Sequence, residues 1–169
     1  MKKKFAIAVV ILLVVAAIWW WKSPSGEVAE APKQAAIHLS DHSALFNQKV
    51  DSLLQTYFSV NNAFIKADTT AIKVAVSAFI NQANGLPLDE LKSDSSVVAA
   101  TVQQFLSDVQ SNASSILMQT DINEMRQNFR MVNESMYPLI KSIGYHGPRL
   151  YWITCADAFG EGNTANWLS

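Results

Sequence analysis

Hydrophobic residues recur at three- and four-residue steps through most of the chain after residue 40, and this spacing constrains the fold more than any other feature. Such steps place side chains on one face of an α-helix. Four short-linked helices of this kind favour an up-down four-helix bundle, a mainly α fold. The pattern covers about 41–66, 70–83, 98–116 and 121–143.

Polar residues and glycines mark where these helices begin and end. Short polar residues of the type that caps a helix N-terminus are Asp41 for the first helix, Asp68, Thr69 or Thr70 for the second, and Thr120 or Asp121 for the fourth. Gly85 occupies a position where a left-handed residue often ends a helix, and Gly144 ends the fourth helical pattern. The stripes predict Phe129 and Leu139 in the core. The third stripe is Val98, Val102, Phe105, Val109, Ala113 and Ile116.

Residues 145–169 lack the helical period. The β-branched and aromatic residues at 150–154 predict a short strand, and Gly160, Gly162 and Asn163 mark a loop after it. The predicted bundle therefore carries a short C-terminal strand and loop segment.

The N-terminus predicts one transmembrane helix. Lys2, Lys3 and Lys4 precede an uncharged run, residues 5–21, which would be about 26 Å long as a helix. Tryptophans at 19–21 end the run, where aromatic rings favour the membrane interface. The lysines favour a cytoplasmic N-terminus. The expected location is therefore the inner membrane, single-pass, with the C-terminal domain in the periplasm.

A cleaved signal peptide is the alternative interpretation of this run. The small-x-small site at Ala29 and Ala31 lies far beyond it and is followed by Pro32, which disfavours cleavage. The retained anchor is therefore favoured, and the domain is exported in either case. The predicted organisation is an anchor at 1–22, a flexible linker at 23–40 and a periplasmic helical domain at 41–169.

Charge and motifs narrow the classes of function. Four of the 13 basic residues lie in 1–22, which has no acid, so the remainder has 9 basic residues against 14 acidic ones. An acidic remainder with no basic run argues against nucleic acid as a partner. The chain has no Gly-x-Ser-x-Gly, phosphate loop, His-Glu-x-x-His or Cys-x-x-Cys motif. An enzyme is therefore not expected.

Three residues are candidate ligands for a soft metal. Cys155 is the single cysteine, and thiolate and thioether groups favour Cu(I). His146 lies nine residues earlier, where a hairpin would bring it close, and Met131 lies off the core stripe. The alternative for Cys155 is a small buried hydrophobic residue. His38 and His42 also have a metal-binding spacing, but solvated polar residues are expected at the linker boundary.

The C-terminal segment resembles a known family. The resemblance rests on Leu150 and Tyr151 through Cys155, then on Ala158-Phe159 and Trp167-Leu168-Ser169. They resemble the Tyr, Cys-Pro-Met-Ala and Trp-Leu-Ser signature of an uncharacterised domain of Gram-negative bacterial envelopes. Residues 63–78 and 121–129 resemble its upstream helices, so the resemblance covers roughly 45–169.

The resemblance implies handling of copper or a similar soft metal, because the family is sometimes fused to periplasmic adaptor subunits of heavy-metal efflux pumps. This chain has Ala156 and Asp157 where the family has Pro and Met. Two functions therefore stay open. One is binding or sensing of copper by Cys155 with His146 or Met131. The other is a structural or protein-interaction module for an envelope or efflux partner, with Cys155 buried in the core.

Overall fold

The computed structural model describes residues 41–169, and the predicted anchor and linker in residues 1–40 lie outside the described residues. Within residues 41–169, no helix combines the length and hydropathy that crossing a bilayer requires. The prediction of a mainly helical domain with a short C-terminal strand segment is confirmed. The elements are α1 (Ala44–Ile65), α2 (Thr69–Asn84), a 3-10 helix (Leu88–Ser93), α3 (Ser96–Met118), α4 (Ile122–Ser142), β1 (Trp152–Cys155) and β2 (Ala165–Leu168).

Short polar side chains cap the α-helices. Asp68 accepts hydrogen bonds from two backbone N–H groups of α2, and Asp121 does the same for α4, as the sequence predicts. Ser95 caps α3. The prediction of Asp41 for α1 is wrong, because Ser43 Oγ accepts the capping hydrogen bond from the first turn at 3.1 Å.

The two predicted glycine stops behave differently. Gly144 has a φ of 61° and follows α4 in the left-handed region, so that prediction is confirmed. Gly85 has a φ of −91°, so the prediction that a left-handed residue ends α2 is wrong. Its N–H instead donates to Gln82 O at 3.0 Å, which tightens the last turn. The following 3-10 helix, which the sequence pattern did not predict, is attached to the core by the buried Leu91.

The predicted stripes meet in one hydrophobic core. Helices that follow each other in sequence pack together: α1 on α2, α2 on α3 and α3 on α4. Phe129 is 8% exposed and Leu139 is fully buried, as predicted. In α3 the stripe differs by one residue, since Leu106 is buried while Phe105 is only half-buried.

The C-terminal segment is a β-hairpin. The strand predicted at 150–154 runs from Trp152 to Cys155 as β1, and it pairs antiparallel with β2. The sequence pattern did not predict β2. Cys155 lies opposite Ala165, at the end of the hairpin where the connecting loop begins.

Aromatic and aliphatic contacts attach the hairpin to the helices. The Trp152 ring lies 4.7 Å from the Tyr137 ring of α4, measured between centroids. Leu168 of β2 is buried in the core, and its backbone N–H donates to Tyr57 of α1 at 3.0 Å. The hairpin therefore closes over the side of the bundle where α1 and α4 meet.

His42 is held in the interior rather than solvated. Its side chain is 2% exposed, and its Nε2 lies 2.8 Å from Ile143 O at the end of α4. The prediction of a solvated His42 is therefore wrong, because the start of α1 packs against the end of α4. His38 lies outside the described residues.

Candidate functional site

The three predicted metal ligands lie on three separate segments. Cys155 is exposed at the end of β1, so the alternative in which it is buried in the core is wrong. His146 is exposed in the turn after α4. Met131 is on α4 and is 50% exposed.

The hairpin leads Cys155 away from the turn that contains His146. Tyr151 and Ser169 exchange two backbone hydrogen bonds, so the chain has already entered the hairpin at Tyr151. The five residues from Tyr151 to Cys155 then extend over about 13 Å. The hairpin pairs Cys155 with Ala165 instead of with a residue near His146.

Cys155 and Met131 lie on different elements, β1 and α4. Cys155 is three residues after Trp152, so the two side chains point to opposite sides of β1. No group of three or more His, Cys, Asp and Glu side chains within residues 41–169 is arranged to hold a metal ion.

A groove lies where the second half of α1, the first half of α4 and the hairpin meet. Its volume is about 270 Å³. We call it the arginine groove, because two arginines of α4 line it. Its apolar walls include Phe64, Ile65, Phe129, Phe159 and Trp167, and its polar lining includes Arg126, Arg130 and Asn133.

Aromatic contacts shape the apolar walls. The rings of Phe64 and Phe129 stack with their centroids 4.7 Å apart. The guanidinium of Arg130 lies 6.0 Å from the centroid of the Phe159 ring. Ile65, at the end of α1, is 82% exposed and forms part of the rim. The walls are therefore packed into the core on one side and open to solvent on the other.

The polar lining is one stripe along α4. Arg126, Arg130 and Asn133 follow steps of four and three residues, which puts them on one helix face. Arg126 Nη1 donates to the Asn123 side chain at 3.3 Å. Among the described residues, neither arginine forms an ion pair with an acidic side chain, and no acidic side chain lines the groove. The stripe therefore presents positive charge and N–H donors.

Asn133 extends this stripe into the interior. It is 3% exposed, and its Oδ1 accepts a hydrogen bond from the Tyr57 hydroxyl at 2.8 Å. The Tyr57 oxygen in turn accepts from Leu168 N–H, so the hydroxyl proton points to Asn133. Burial raises the pKa of Tyr57 to about 12, which keeps that proton in place. In residues 41–169 no group accepts a hydrogen bond from Asn133 Nδ2, which is therefore available in the groove.

The sequence patterns do not reveal this groove. The available signal is a pair of arginines four residues apart, on either side of Phe129 in sequence. Phe159 and Trp167 complete the groove from a segment about 30 residues further along the chain. No periodicity links the two segments, so only the folded chain shows that they meet.

Residues 53–146 match a family described as Protein of unknown function (DUF3347). This agrees with the expected membership of an uncharacterised domain family. The C-terminal motif at 150–169 lies outside the matched segment, whereas the polar stripe of α4 lies inside it. No curated protein and no solved structure matches the chain. Because the matched segment covers more than half of the chain, the protein belongs to the DUF3347 family.

Proposed function

We propose that this protein is a membrane-anchored interaction module, whose helical domain docks onto another protein of the cell envelope through the arginine groove. In this proposal residues 5–21 form a single transmembrane helix in the inner membrane. Residues 23–40 are the tether, and residues 41–169 are an up-down bundle in the periplasm. The resemblance of the C-terminal motif suggests one class of partner, the periplasmic adaptor subunits of heavy-metal efflux pumps.

The observation that carries the proposal is the exposed apolar lining of the groove. Aromatic side chains and arginine are enriched in protein interfaces, and both occur here side by side. Ile65 is 82% exposed beside the stacked rings of Phe64 and Phe129. An apolar pocket with a few convergent polar groups is the usual form of a binding site.

Photo-crosslinking in cells tests the docking function. Ile65 is replaced by p-benzoylphenylalanine, and Val74 of α2, which is 68% exposed and does not line the groove, receives the same group as a control. We expect one defined adduct from position 65, which mass spectrometry identifies, and none from position 74. Equal adducts at both positions, or none at position 65, would contradict docking through the groove.

The predicted location is tested separately. The uncharged run at 5–21, preceded by lysines, supports a retained anchor. Mass spectrometry of the mature protein should therefore find its N-terminus at residue 1 or 2, and protease added to spheroplasts should digest residues 41–169. A mature N-terminus beyond residue 22 would show that the segment is a cleaved signal.

A second candidate function is binding of a soft metal such as copper. The exposure of the Cys155 thiol is the observation in its favour, because a thiolate ligand has to be reachable. Cu(I) titration against a competing chelator is expected to give weak binding that Cys155→Ser removes. Met131→Leu and His146→Gln test the other two donors. Equal Cu(I) affinity of the Cys155→Ser variant and the native chain would end the metal proposal.

A further inference from the structure

We infer that the arginine groove recognises a partner segment in which an apolar side chain lies next to a carboxylate. This inference rests on the proposed docking function and adds the chemistry of the partner. It follows from three properties of the groove: its donors, its walls and its size.

The donors select for an anionic group. Arg126 and Arg130 present two guanidinium groups from one helix face, and Asn133 adds an N–H donor that no described residue uses. A guanidinium group matches a carboxylate in geometry as well as in charge. Asn133 lines the groove, so a partner oxygen that reaches it meets one further N–H donor. The stripe therefore complements an anionic oxygen group, which in an unmodified protein segment is a carboxylate.

The groove attracts a carboxylate, whereas the rest of the chain beyond residue 22 does not. Beyond residue 22 the chain has 9 basic residues against 14 acidic ones, so an acidic segment is repelled by the protein as a whole. The groove is lined by two arginines and no acidic side chain. Electrostatic complementarity of this kind fixes where a partner binds more than how tightly it binds.

The walls and the size of the groove select for one apolar side chain. Phe64, Phe129 and Trp167 offer flat apolar surfaces against which an aromatic or aliphatic group packs. The groove volume of about 270 Å³ is below the usual range for drug-sized ligands, about 300–1,000 Å³. A single anchor side chain fits such a space, while the exposed rim at Ile65 leaves room for the chain on either side of it. A protein segment with one apolar anchor side chain therefore fits the groove.

Peptide binding to the full chain in detergent micelles tests the inference. The probe is a fluorescein-labelled Gly/Ser peptide with a central Glu-Phe-Glu, and fluorescence anisotropy measures its Kd. We expect Glu-Ala-Glu to bind about tenfold more weakly, because the anchor ring is lost. We expect Lys-Phe-Lys to bind about fivefold more weakly or worse, because the carboxylates are lost.

Protein variants test the donors directly. The double variant Arg126→Gln/Arg130→Gln should bind the Glu-Phe-Glu peptide about fivefold more weakly and should no longer distinguish it from Lys-Phe-Lys. The double variant Lys73→Gln/Arg149→Gln removes the same charge away from the groove and should bind like the native chain. Salt should weaken binding to the native chain and have little effect on the arginine variant.

The outcomes separate this inference from the docking function. Unchanged binding by the arginine variant, with weak binding of Glu-Ala-Glu, would overturn the carboxylate inference and leave an uncharged docking groove. Equally weak binding of all three peptides, while position 65 still crosslinks in cells, would also overturn the inference alone. If phenylpropionate displaces the probe with the same Kd as unlabelled peptide does, the ligand is a free small acid. That result would overturn the inference of a partner segment. Loss of the position 65 adduct would overturn the docking function itself.

Discussion

Tyr57 joins the core, the groove and the hairpin through one side chain. Its ring is fully buried, and the ring centroid lies 5.8 Å from that of Phe129 and 6.1 Å from that of Phe79. Its hydroxyl accepts from Leu168 N–H and donates to Asn133, so both of its hydrogen-bonding roles are used. The stripe of α1 predicts that Tyr57 faces inward, but its hydroxyl partners lie 76 and 111 residues away in sequence. No local pattern encodes such pairs.

Tyr57→Phe should destabilise the domain by about 1–3 kcal/mol at pH 7, because it leaves Asn133 Oδ1 and Leu168 N–H without this partner. The pKa of Tyr57, raised to about 12, also predicts how the effect of this substitution depends on pH. A raised folded-state pKa means that the protonated hydroxyl stabilises the fold below pH 10, and that this stability is lost between pH 10 and 12. The difference between native and variant stability should therefore shrink over that interval.

Urea unfolding at pH 7, 10 and 11.5 measures this difference. Tyr151→Phe is the matched control, since Tyr151 is 56% exposed and its variant should track the native chain at each pH. A Tyr57→Phe destabilisation that stays constant from pH 7 to 11.5 would show that the hydroxyl proton does not matter to the fold.

At the scale of elements, the start of α1 depends on the 3-10 helix. Ser43, the N-cap of α1, donates both its backbone N–H and its hydroxyl to the carboxylate of Glu90. These hydrogen bonds hold the pKa of Glu90 below its ordinary value of 4.5, the Ser43 backbone N–H being the largest cause. The sequence pattern placed the cap at Asp41 because only local residues entered that prediction. The tertiary contact with Glu90 favours Ser43 instead.

The Glu90 contact predicts an acid-sensitive helix start. Because the folded-state pKa is lowered, the ionised carboxylate stabilises the fold above about pH 4.5, and this stability is lost as the pH falls through the folded-state pKa. Glu90→Gln should therefore be less stable than the native chain at pH 7, and the gap should close at acidic pH. Thermal unfolding from pH 7 down to pH 3 measures it, with Glu161→Gln in the hairpin loop as the control. A stability difference between the two proteins that is the same at pH 7 and pH 3 would contradict a stabilising contact between Ser43 and Glu90.

At the scale of the whole molecule, the last residues of the chain complete the core. Leu168 is 3% exposed, and Asn61 of α1 donates to its carbonyl at 3.3 Å. Asn166 of β2 donates to Glu134 of α4 at 3.0 Å. The hairpin is therefore part of the fold and supplies one wall of the arginine groove.

A matched pair of hairpin substitutions tests this role. Leu168→Ala should lower the free energy of unfolding by about 2–4 kcal/mol, because it leaves a cavity between the hairpin and the helices. Ile153→Ala, on the exposed strand at 38% exposure, should cost about 0.5 kcal/mol or less. Urea unfolding followed by circular dichroism compares the two. Similar small effects for both would show that the hairpin does not close the core.

The sequence by itself determined the helical elements and much of the core. Four apolar stripes identify the helices, Asp68 and Asp121 cap two of them, and Gly144 ends the last, because each of these signals acts within a few residues. The tertiary structure decided the second strand, the Ser43 cap and the arginine groove. These depend on residues far apart in sequence, such as Tyr57 with Leu168 and Arg130 with Phe159, which only packing brings together. Local hydrophobic periods can be recognised in the sequence, whereas a binding surface forms where elements that are distant in sequence meet.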